Sequence, residues 1–282
     1  MNKNFTIICV SYRSNEKVKK LIQNLGGKFN IVIVENSNNR HLAKKFEKNK
    51  NIKFLFPKNN NGFGAGLNFG LKKIKTKYIL YLDLDTKISP SQIFRIYKKS
   101  IKISNFGVIT TYIQGQDYKK LILGTDKSNN MKYVSFNTGC VMMFEKKIFN
   151  LVGYFDERFF LYFEETDFYE RCKKINKKIY LLDKIKVIHH GSGSIDKTFN
   201  ENYKRLRNWH YCWSKYNFYL KHKGIFVALS KTFPNLRKSI LGMIINFIFY
   251  NDKKMSLSYA EFSGLINAYF GLDSNFRIHL SQ

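Results

Sequence analysis

The sequence predicts an α/β protein: a Rossmann-like, mostly parallel central sheet flanked by helices, with a helical extension at its C-terminal end. Three observations predict it. Short β-rich apolar runs alternate with amphipathic stretches through the first two-thirds of the chain, the pattern of strand–helix–strand crossovers. Each early run ends in a polar loop, and such loops hold the ligands of α/β sheets. From Lys197 onward the strand-like runs give way to long aromatic stretches carrying 13 basic and 4 acidic residues, which places a boundary near residue 197.

Residues 5–10 are apolar and lead into Ser11-Tyr12-Arg13-Ser14, after which Val18, Leu21, Ile22 and Leu25 recur at helical spacing and Gly26-Gly27 ends the helix. A second buried strand over 31–34 closes on Glu35-Asn36-Ser37, with a charged helix over 40–48 behind it. The third strand, 52–56, opens into Asn60-Asn61-Gly62-Phe63-Gly64-Ala65-Gly66, whose small residues let backbone approach a ligand closely. This is not a dinucleotide fingerprint, because the third glycine would fall at Leu67, and no Gly-Lys-Ser/Thr of a P-loop follows. Its plainer reading is a glycine-rich helix start packed on the sheet.

The run Tyr78-Ile79-Leu80-Tyr81-Leu82 reads as a central buried strand and ends in Asp83-Leu84-Asp85-Thr86. Side chains of an extended segment alternate, so Asp83 and Asp85 are expected on one side, and a divalent cation with oxygen ligands relieves two like charges held there. A solvated turn is the alternative. Pro90 starts a helix toward residue 103, a strand follows over 106–112, and the polar section 114–132 reads as a loop or hairpin. Residues 134–144 read as a strand containing Asn137-Thr138-Gly139-Cys140, with a helix over 146–152. Next come six aromatics and then Glu164-Glu165-Thr166-Asp167, three acids in four residues at the start of a helix that continues from 168 to 174. A strand over 179–182 and a run ending in His189-His190 close this part. A histidine at a strand end is either a metal ligand or a solvated side chain.

At 282 residues the chain suits one large domain or a domain with an appendage, and 44% hydrophobic with 16% aromatic residues excludes general disorder. A net charge of +29 implies an anionic partner: nucleic acid, an acidic membrane surface or a phosphate-bearing substrate. Cys9, Cys140, Cys172 and Cys212 lie far apart without metal-finger spacing and read as buried thiols in a reducing compartment. The chain runs into its first strand without an apolar leader, so secretion is not expected. The longest charge-free apolar run, 239–251, has 13 residues against the about 20 needed to span a bilayer. In the same region Leu241, Ile244, Ile245, Ile248 and Phe249 recur at helical spacing beside Arg237, Lys238, Lys253 and Lys254. This is the pattern of an interfacial helix with basic edges, or of a stripe packed on the catalytic domain or in a homodimer; the sequence leaves these open.

In order and spacing, Val10-Ser11-Tyr12, Glu35-Asn36-Ser37, Asn60-Asn61-Gly62-Phe63-Gly64, Asp83-Leu84-Asp85-Thr86, Asn137-Thr138-Gly139, Gly153-Tyr154-Phe155-Asp156-Glu157-Arg158-Phe159-Phe160, Glu164-Glu165-Thr166-Asp167 and His189 resemble the motifs of family-two glycosyltransferases of the GT-A fold. The nearest resemblance is to rhamnosyltransferase-like members that build bacterial surface polysaccharides, and it covers residues 5–195 well and the tail loosely. It implies a GT-A catalytic domain over 1–196, with donor binding in 1–110 and acceptor binding and catalysis in 111–196, and a helical extension over 197–282. Ser11, Tyr12, Glu35 and Asn36 would hold the nucleobase and ribose, joined on the donor side by Arg13, Leu84 and the loop with Asn60, Gly62, Phe63 and Gly64. Asp83, Asp85 and His189 would bind Mn²⁺ or Mg²⁺, and Asn137, Thr138 and Gly139 would lie on the acceptor side. Glu35 and Glu165 depart from the family, which usually has Asp at both positions.

The activity so implied is metal-dependent, inverting transfer of rhamnose or another hexose from a UDP- or dTDP-sugar to a hydroxyl of a growing lipid-linked surface glycan. It would take place in the cytoplasm, peripherally at the inner face of the cell membrane, and without nucleic acid. Inversion needs a carboxylate to take the acceptor proton, and the candidates are Glu165, Glu164 and Asp167. Glu165 shares a helical stripe with Phe168, Cys172 and Ile175, whereas Glu164 and Asp167 line up with Arg171 and Lys174 on a polar face. The apolar stripe is expected to face the sheet and carry Glu165 to the strand ends; a mere helix-capping role is the alternative. Two other functions compete. A basic nucleic-acid binder does not explain acids clustered at strand ends. A nucleotidyltransferase would favour a glycine-rich phosphate loop after the first strand, where Ser11-Tyr12-Arg13 has none.

Overall fold

The computed structural model describes residues 4–189 and 200–277. The chain forms two compact units: residues 1–155 with 168–195, and residues 156–167 with 196–282. The expected boundary near 197 and His190 lie outside the described residues. Residues 156–167, read from the sequence as part of the acceptor-binding section, group with the C-terminal helices.

In the first unit β1 (Phe5–Ser11), β2 (Asn30–Glu35), β3 (Ile52–Leu55) and β4 (Tyr78–Leu82) are parallel, in spatial order β3-β2-β1-β4. They are joined through α1 (Asn15–Leu25), α2 (His41–Lys45) and α3 (Phe63–Leu71). The register opposes Ser11 to Glu35, so the loops after β1 and β2 leave the sheet side by side. The two-residue β5 (Thr86–Lys87) and α4 (Pro90–Ser100) follow. Pro90 sits at the helix start behind a capping box in which Ser89 and Gln92 satisfy each other's backbone N–H groups.

The sheet continues from β4 through β9 (Val141–Glu145), β6 (Phe106–Ile113), β10 (Lys178–His189), β8 (Met131–Val134) and β7 (Ile122–Asp126). β9 is antiparallel to β4 and to β6, and β10 is parallel to β6. Of the loop and hairpin readings of 114–132 the hairpin is found, and two other sequence expectations change. The polar section 114–132 holds the antiparallel hairpin of β7 and β8. The strand expected over 134–144 is two strands, with Asn137-Thr138-Gly139 in the loop between them, because the buried Asn137 amide turns the chain there. The strands around 179–182 and 186–189 are one, β10, with a register shift between Leu182 and Lys186.

Alternation along β1 and β4 divides the core. Ile7, Cys9, Leu80 and Leu82 pack with Val18 and Leu21 of α1 and Ile93 and Ile96 of α4. Ile8, Ile79 and Tyr81 pack on the other face with Leu67 and Leu71 of α3 and with Phe168, Tyr169 and Cys172 of α6 (Glu164–Lys174). Gly70 lets α3 lie close to the sheet, since a Cβ there would stand 2.4 Å from Ile8 Cδ1 and 2.7 Å from Val34 Cγ2.

In the second unit α7 (Asn200–Lys223), α8 (Ile225–Ile248) and α9 (Asp252–Tyr269) pack around Phe159, Trp209, Trp213, Tyr216 and Phe218. At Gly264 a Cβ would meet the Trp209 carbonyl oxygen at 2.4 Å, so α7 and α9 touch backbone to backbone. Residues 272–276 strap across α7: Trp213 Nε1 donates to the Leu272 carbonyl at 2.8 Å, and the His210 ring nitrogens lie 2.9 Å from Ser274 Oγ and from the Phe276 carbonyl. The four cysteines are buried and unpaired. No helix among the described residues is long and apolar enough to cross a membrane.

Candidate active site at the carboxyl ends of the strands

Asp83, Asp85 and His189 converge. Each offers one ligand atom, and these atoms lie within 4.8 Å of one another. His189 Nε2 is 2.9 Å from Asp85 Oδ1 and 3.4 Å from Asp83 Oδ2. The convergence has a different origin from the one expected. β4 ends at Leu82, so Asp83 and Asp85 belong to a turn rather than an extended strand. Thr86 N donates to the Asp83 carbonyl and Leu84 N to the Asp83 carboxylate, and the antiparallel pairing of β5 with β10 sets His189 opposite Thr86. Burial works against a charged His189 ring, but the two carboxylates outweigh it and lift its pKa to about 9. Two carboxylate oxygens and an imidazole nitrogen within this span are a donor set that fits a divalent cation such as Mn²⁺ or Mg²⁺.

The Asn137-Thr138-Gly139 loop adjoins this cluster, because Asp83 N donates to the Cys140 carbonyl. Asn137 is fully buried and its amide is spent internally: it donates to Thr110 Oγ1 at 2.6 Å and the Thr111 carbonyl at 2.9 Å and accepts from Tyr118 Oη at 2.8 Å. It holds the loop, leaving Thr138 and Gly139 at its turn.

The residues expected on the donor side lie along the ends of β1 and β2 and the start of α3. Ser11 is buried, and its hydroxyl has no partner. Arg13 has a left-handed φ of 50°, and its guanidinium stands 5.8 Å from the Tyr12 ring centroid. Glu35 turns back on its own loop, accepting from Ser37 Oγ at 2.5 Å and Asn39 N at 2.6 Å. Burial raises its pKa, and those hydrogen bonds counter the rise. Asn36 Nδ2 donates to Asn60 Oδ1 at 3.3 Å and to the Gly62 carbonyl at 3.1 Å, tying the β2 loop to the glycine-rich loop. Gly66 is needed under it: a Cβ there would stand 2.7 Å from Asn36 Nδ2. Gly62, with φ 98°, turns the chain into α3 at Phe63 and Gly64. A cavity of about 720 Å³ is lined by Asp85, Leu84 and Thr86, by Lys17 and Lys20 of α1, and by Lys87. The Lys17 ammonium is buried without a partner.

In the second unit, α6 starts directly after Tyr162 and Phe163, two consecutive non-glycine residues at φ 67°. Such backbone costs of order 1 kcal/mol per residue and marks a segment whose geometry is held for a purpose. Glu164 is buried and Glu165 partly exposed, and each has one buried oxygen without a partner. Burial raises both pKa values; the charge of Glu165 raises Glu164 further, whereas backbone N–H groups of Glu165 and Thr166 favour ionised Glu165. Their titration therefore belongs to the pair. Phe168 and Cys172 are buried as the stripe predicts, but Ile175 lies past the helix end and is exposed. Glu164 and Asp167 are not on an open polar face: both are buried, because Asp167 Oδ1 meets Lys221 Nζ at 2.5 Å and His222 Nε2 at 2.8 Å.

Residues 6–181, more than half of the chain, match the family profile of glycosyl transferase family 2. The chain belongs to this family. The family-two chain is 25% identical over 266 residues to the low-salt glycan biosynthesis hexosyltransferase Agl10 of Haloferax volcanii, an alignment covering 86% of this chain and 81% of that protein. Its fold is similar to the mannosyltransferase PcManGT of Pyrobaculum calidifontis in complex with GDP-Man and Mn²⁺, with a TM-score of 0.59 at 11% identity over 95% of this chain and 87% of that one. It is also similar to S. aureus TarS 1-349 in complex with UDP, with a TM-score of 0.55 at 17% identity over 98% and 94% of the two chains.

Sequence reasoning missed Lys17 and the pair Lys221 and His222. Lys17 sits inside an ordinary amphipathic helix and carries no local signal. His222 was open to notice as one of only 6 histidines, but its partner Asp167 is 55 residues away.

Proposed function

We propose that this family-two glycosyltransferase transfers a hexose, rhamnose or another, from a nucleoside diphosphate sugar to a hydroxyl of a growing lipid-linked glycan, with inversion at the anomeric carbon. The observation that carries the reading is the Asp83–Asp85–His189 cluster at the strand ends. Support for the donor comes from the relatives, one bound to GDP-Man with Mn²⁺ and one to UDP. In this reading residues 1–110 hold the donor and 111–196 serve the acceptor and the chemistry. The ends of β1 and β2 hold base and ribose, where the unpartnered Ser11 hydroxyl supplies a hydrogen bond. Lys17, buried without a counter-ion beside the Asp85 cavity, faces the diphosphate. A cation held by Asp83, Asp85 and His189 would offset the charge developing on the departing diphosphate. The acceptor oxygen attacks the anomeric carbon as the bond to the donor phosphate oxygen breaks, and Glu165 takes the acceptor proton. Burial raises its pKa, the direction that strengthens a general base.

Thermal unfolding with UDP, dTDP and GDP, each with and without Mn²⁺, tests the reading. A ligand that binds only the folded chain stabilises it by about 2.7 kcal/mol at a hundred times its Kd. At least one nucleotide should raise the melting temperature in the presence of Mn²⁺ and less without it. If none does, the transfer reading fails.

A further inference from the structure

We propose that the cavity between α1 and the turn over residues 84–89 is a diphosphate site that holds its ligand without a metal, with Lys17 as the central contact and the exposed Lys20 and Lys87 beside it. The inference deepens the donor reading above and rests on it only for the source of the diphosphate, since the excess of cations in the cavity does not depend on which sugar is carried.

The cavity of about 720 Å³ has an apolar floor: Leu21 and Leu25 of α1, Leu82 at the end of β4, and Ile88, all buried. Lys17, Lys20, Leu21 and Asn24 recur at helical spacing, so one face of α1 forms a wall. Lys17 and Lys20 stand about 4.5 Å apart along the helix axis, three residues at about 1.5 Å each. The two amides in the lining are committed elsewhere. Asn24 Nδ2 donates to the Ile88 carbonyl at 3.2 Å, while Gln92 Nε2 donates to the Lys186 carbonyl at 2.7 Å and Gln92 Oε1 accepts from Ser89 N at 2.8 Å. Asp85 is the one acid among the lining residues, and its carboxylate already lies 2.9 Å from His189 Nε2. The cavity therefore sets three lysines against a single carboxylate.

Lys17 decides the ligand. Its ammonium is buried and has no partner. An ammonium taken out of water is costly unless an anion meets it, and an apolar floor strengthens whatever pair forms there. One phosphoryl group satisfies Lys17; with Lys20 almost one turn on and Lys87 on the opposite wall, a second phosphoryl group is met as well. A lone carboxylate or a single phosphate leaves part of this charge unmatched. Asp85 belongs both to this lining and to the cluster with Asp83 and His189, so a diphosphate held here adjoins the candidate cation site. Lys17 thus shares the neutralisation of the diphosphate with any bound cation, and binding persists, weakened, without one. The same unpaired charge leaves the empty chain less stable than an uncharged side chain would, the usual relation between a binding group and stability.

The test is calorimetric titration and thermal unfolding of the full chain in EDTA with inorganic pyrophosphate, inorganic phosphate, UDP, GDP and dTDP, and the same nucleotides with Mn²⁺. We expect pyrophosphate to bind without metal and more tightly than phosphate. Lys17→Met should raise the melting temperature of the unliganded chain, because it removes a buried unpaired charge, and should weaken pyrophosphate by about tenfold or more, as loss of a hydrogen bond to a charged group does. Lys20→Gln with Lys87→Gln, at exposed positions, should weaken pyrophosphate several-fold and carries the test if Lys17→Met does not fold. Lys98→Gln with Lys99→Gln removes the same charge in the last turn of α4, outside the cavity, and should bind as the parent does. Absence of pyrophosphate binding without metal would overturn the proposal, and so would equal weakening by the two double variants or full affinity in Lys17→Met. Nucleotide binding with Mn²⁺ that is the same in the parent and in Lys17→Met would sink this inference and leave the donor reading standing. Pyrophosphate held through Lys17 with no nucleotide bound under any condition would do the reverse.

Discussion

Asp167 Oδ1 lies 2.8 Å from Nε2 of His222, with both side chains shielded from solvent. The same oxygen is 2.5 Å from Lys221 Nζ, which also reaches Asp156 Oδ2 at 2.8 Å. Against the effect of burial, Arg158 and Lys221 hold the Asp156 carboxyl well below the usual carboxylate range. The clasp links both ends of the strained segment that carries Glu164 and Glu165, and it ion-pairs Asp167.

Asp167→Asn should therefore act on stability. Breaking a buried ion pair by removing one partner costs about 3–5 kcal/mol, and the partial exposure of Lys221 puts this case near the lower end. The urea midpoint should fall accordingly. A variant with an unchanged midpoint and no transfer would instead make Asp167 a participant in the chemistry.

Asp85→Ala should remove Mn²⁺-dependent nucleotide stabilisation while leaving the chain folded, since it also removes like-charge repulsion beside Asp83. Asp83→Ala and His189→Ala should weaken it less: Asp85 is the more buried acid and the one His189 approaches more closely. Calorimetric titration with Mn²⁺ and nucleotide reads the order, and normal transfer by Asp85→Ala would remove the metal assignment.

The parallel half of the sheet was legible because β1, β2 and β4 are buried on both faces and their sequences are unbroken apolar runs. The β7–β8 hairpin was legible only as one of two readings, loop or hairpin, since β7 alternates between partly exposed and exposed residues. Asp83, Asp85 and His189 were legible as residue types, whereas the turn and the β5–β10 pairing that unite them depend on contacts distant in sequence. Periodicity grouped Leu241, Ile244, Ile245 and Ile248 on α8, all of them exposed, but not the direction of that face, because a helical repeat reports that one face is apolar and not which way it points. The Asp167 clasp failed for the same reason: the local stripe placed it on a polar face, and α7 covers that face.

Burial drives the His210 imidazole down to about 3, although its contact with the Phe276 carbonyl acts in the opposite direction. An unfolded histidine titrates near about 6.5, so below that pH the unfolded chain takes up a proton that the folded chain refuses. The folded-state value is depressed, hence the stability it contributes is complete above about pH 6.5 and is lost as pH falls toward 3, with a slope of up to about 1.4 kcal/mol per pH unit. Denaturant titrations between about pH 7 and 4 should show His210→Gln to have the shallower acid slope. Parallel curves for the two proteins would mean that residues 272–276 release His210 before unfolding.

Glu165→Gln should bind nucleotide and Mn²⁺ as the parent does and lose transfer by about a hundredfold or more, the usual effect of deleting a general base. The choice of Glu165 over Glu164 rests on how the pair shares charge. Glu164 is the more deeply buried and is opposed by the Glu165 charge, which pushes its pKa well above the usual carboxylate range. Glu165 is partly exposed and favoured by the backbone N–H groups at the start of α6. Glu164→Gln preserves the shape of a protonated Glu164 and removes the competition for the proton, so it should lower the apparent pKa of the transfer rate while leaving its plateau within a few fold. The pH profiles of the two variants decide between them. If Glu164→Gln abolishes transfer across the whole profile and Glu165→Gln retains it, the base is Glu164, and the partly exposed Glu165 serves only to raise its pKa.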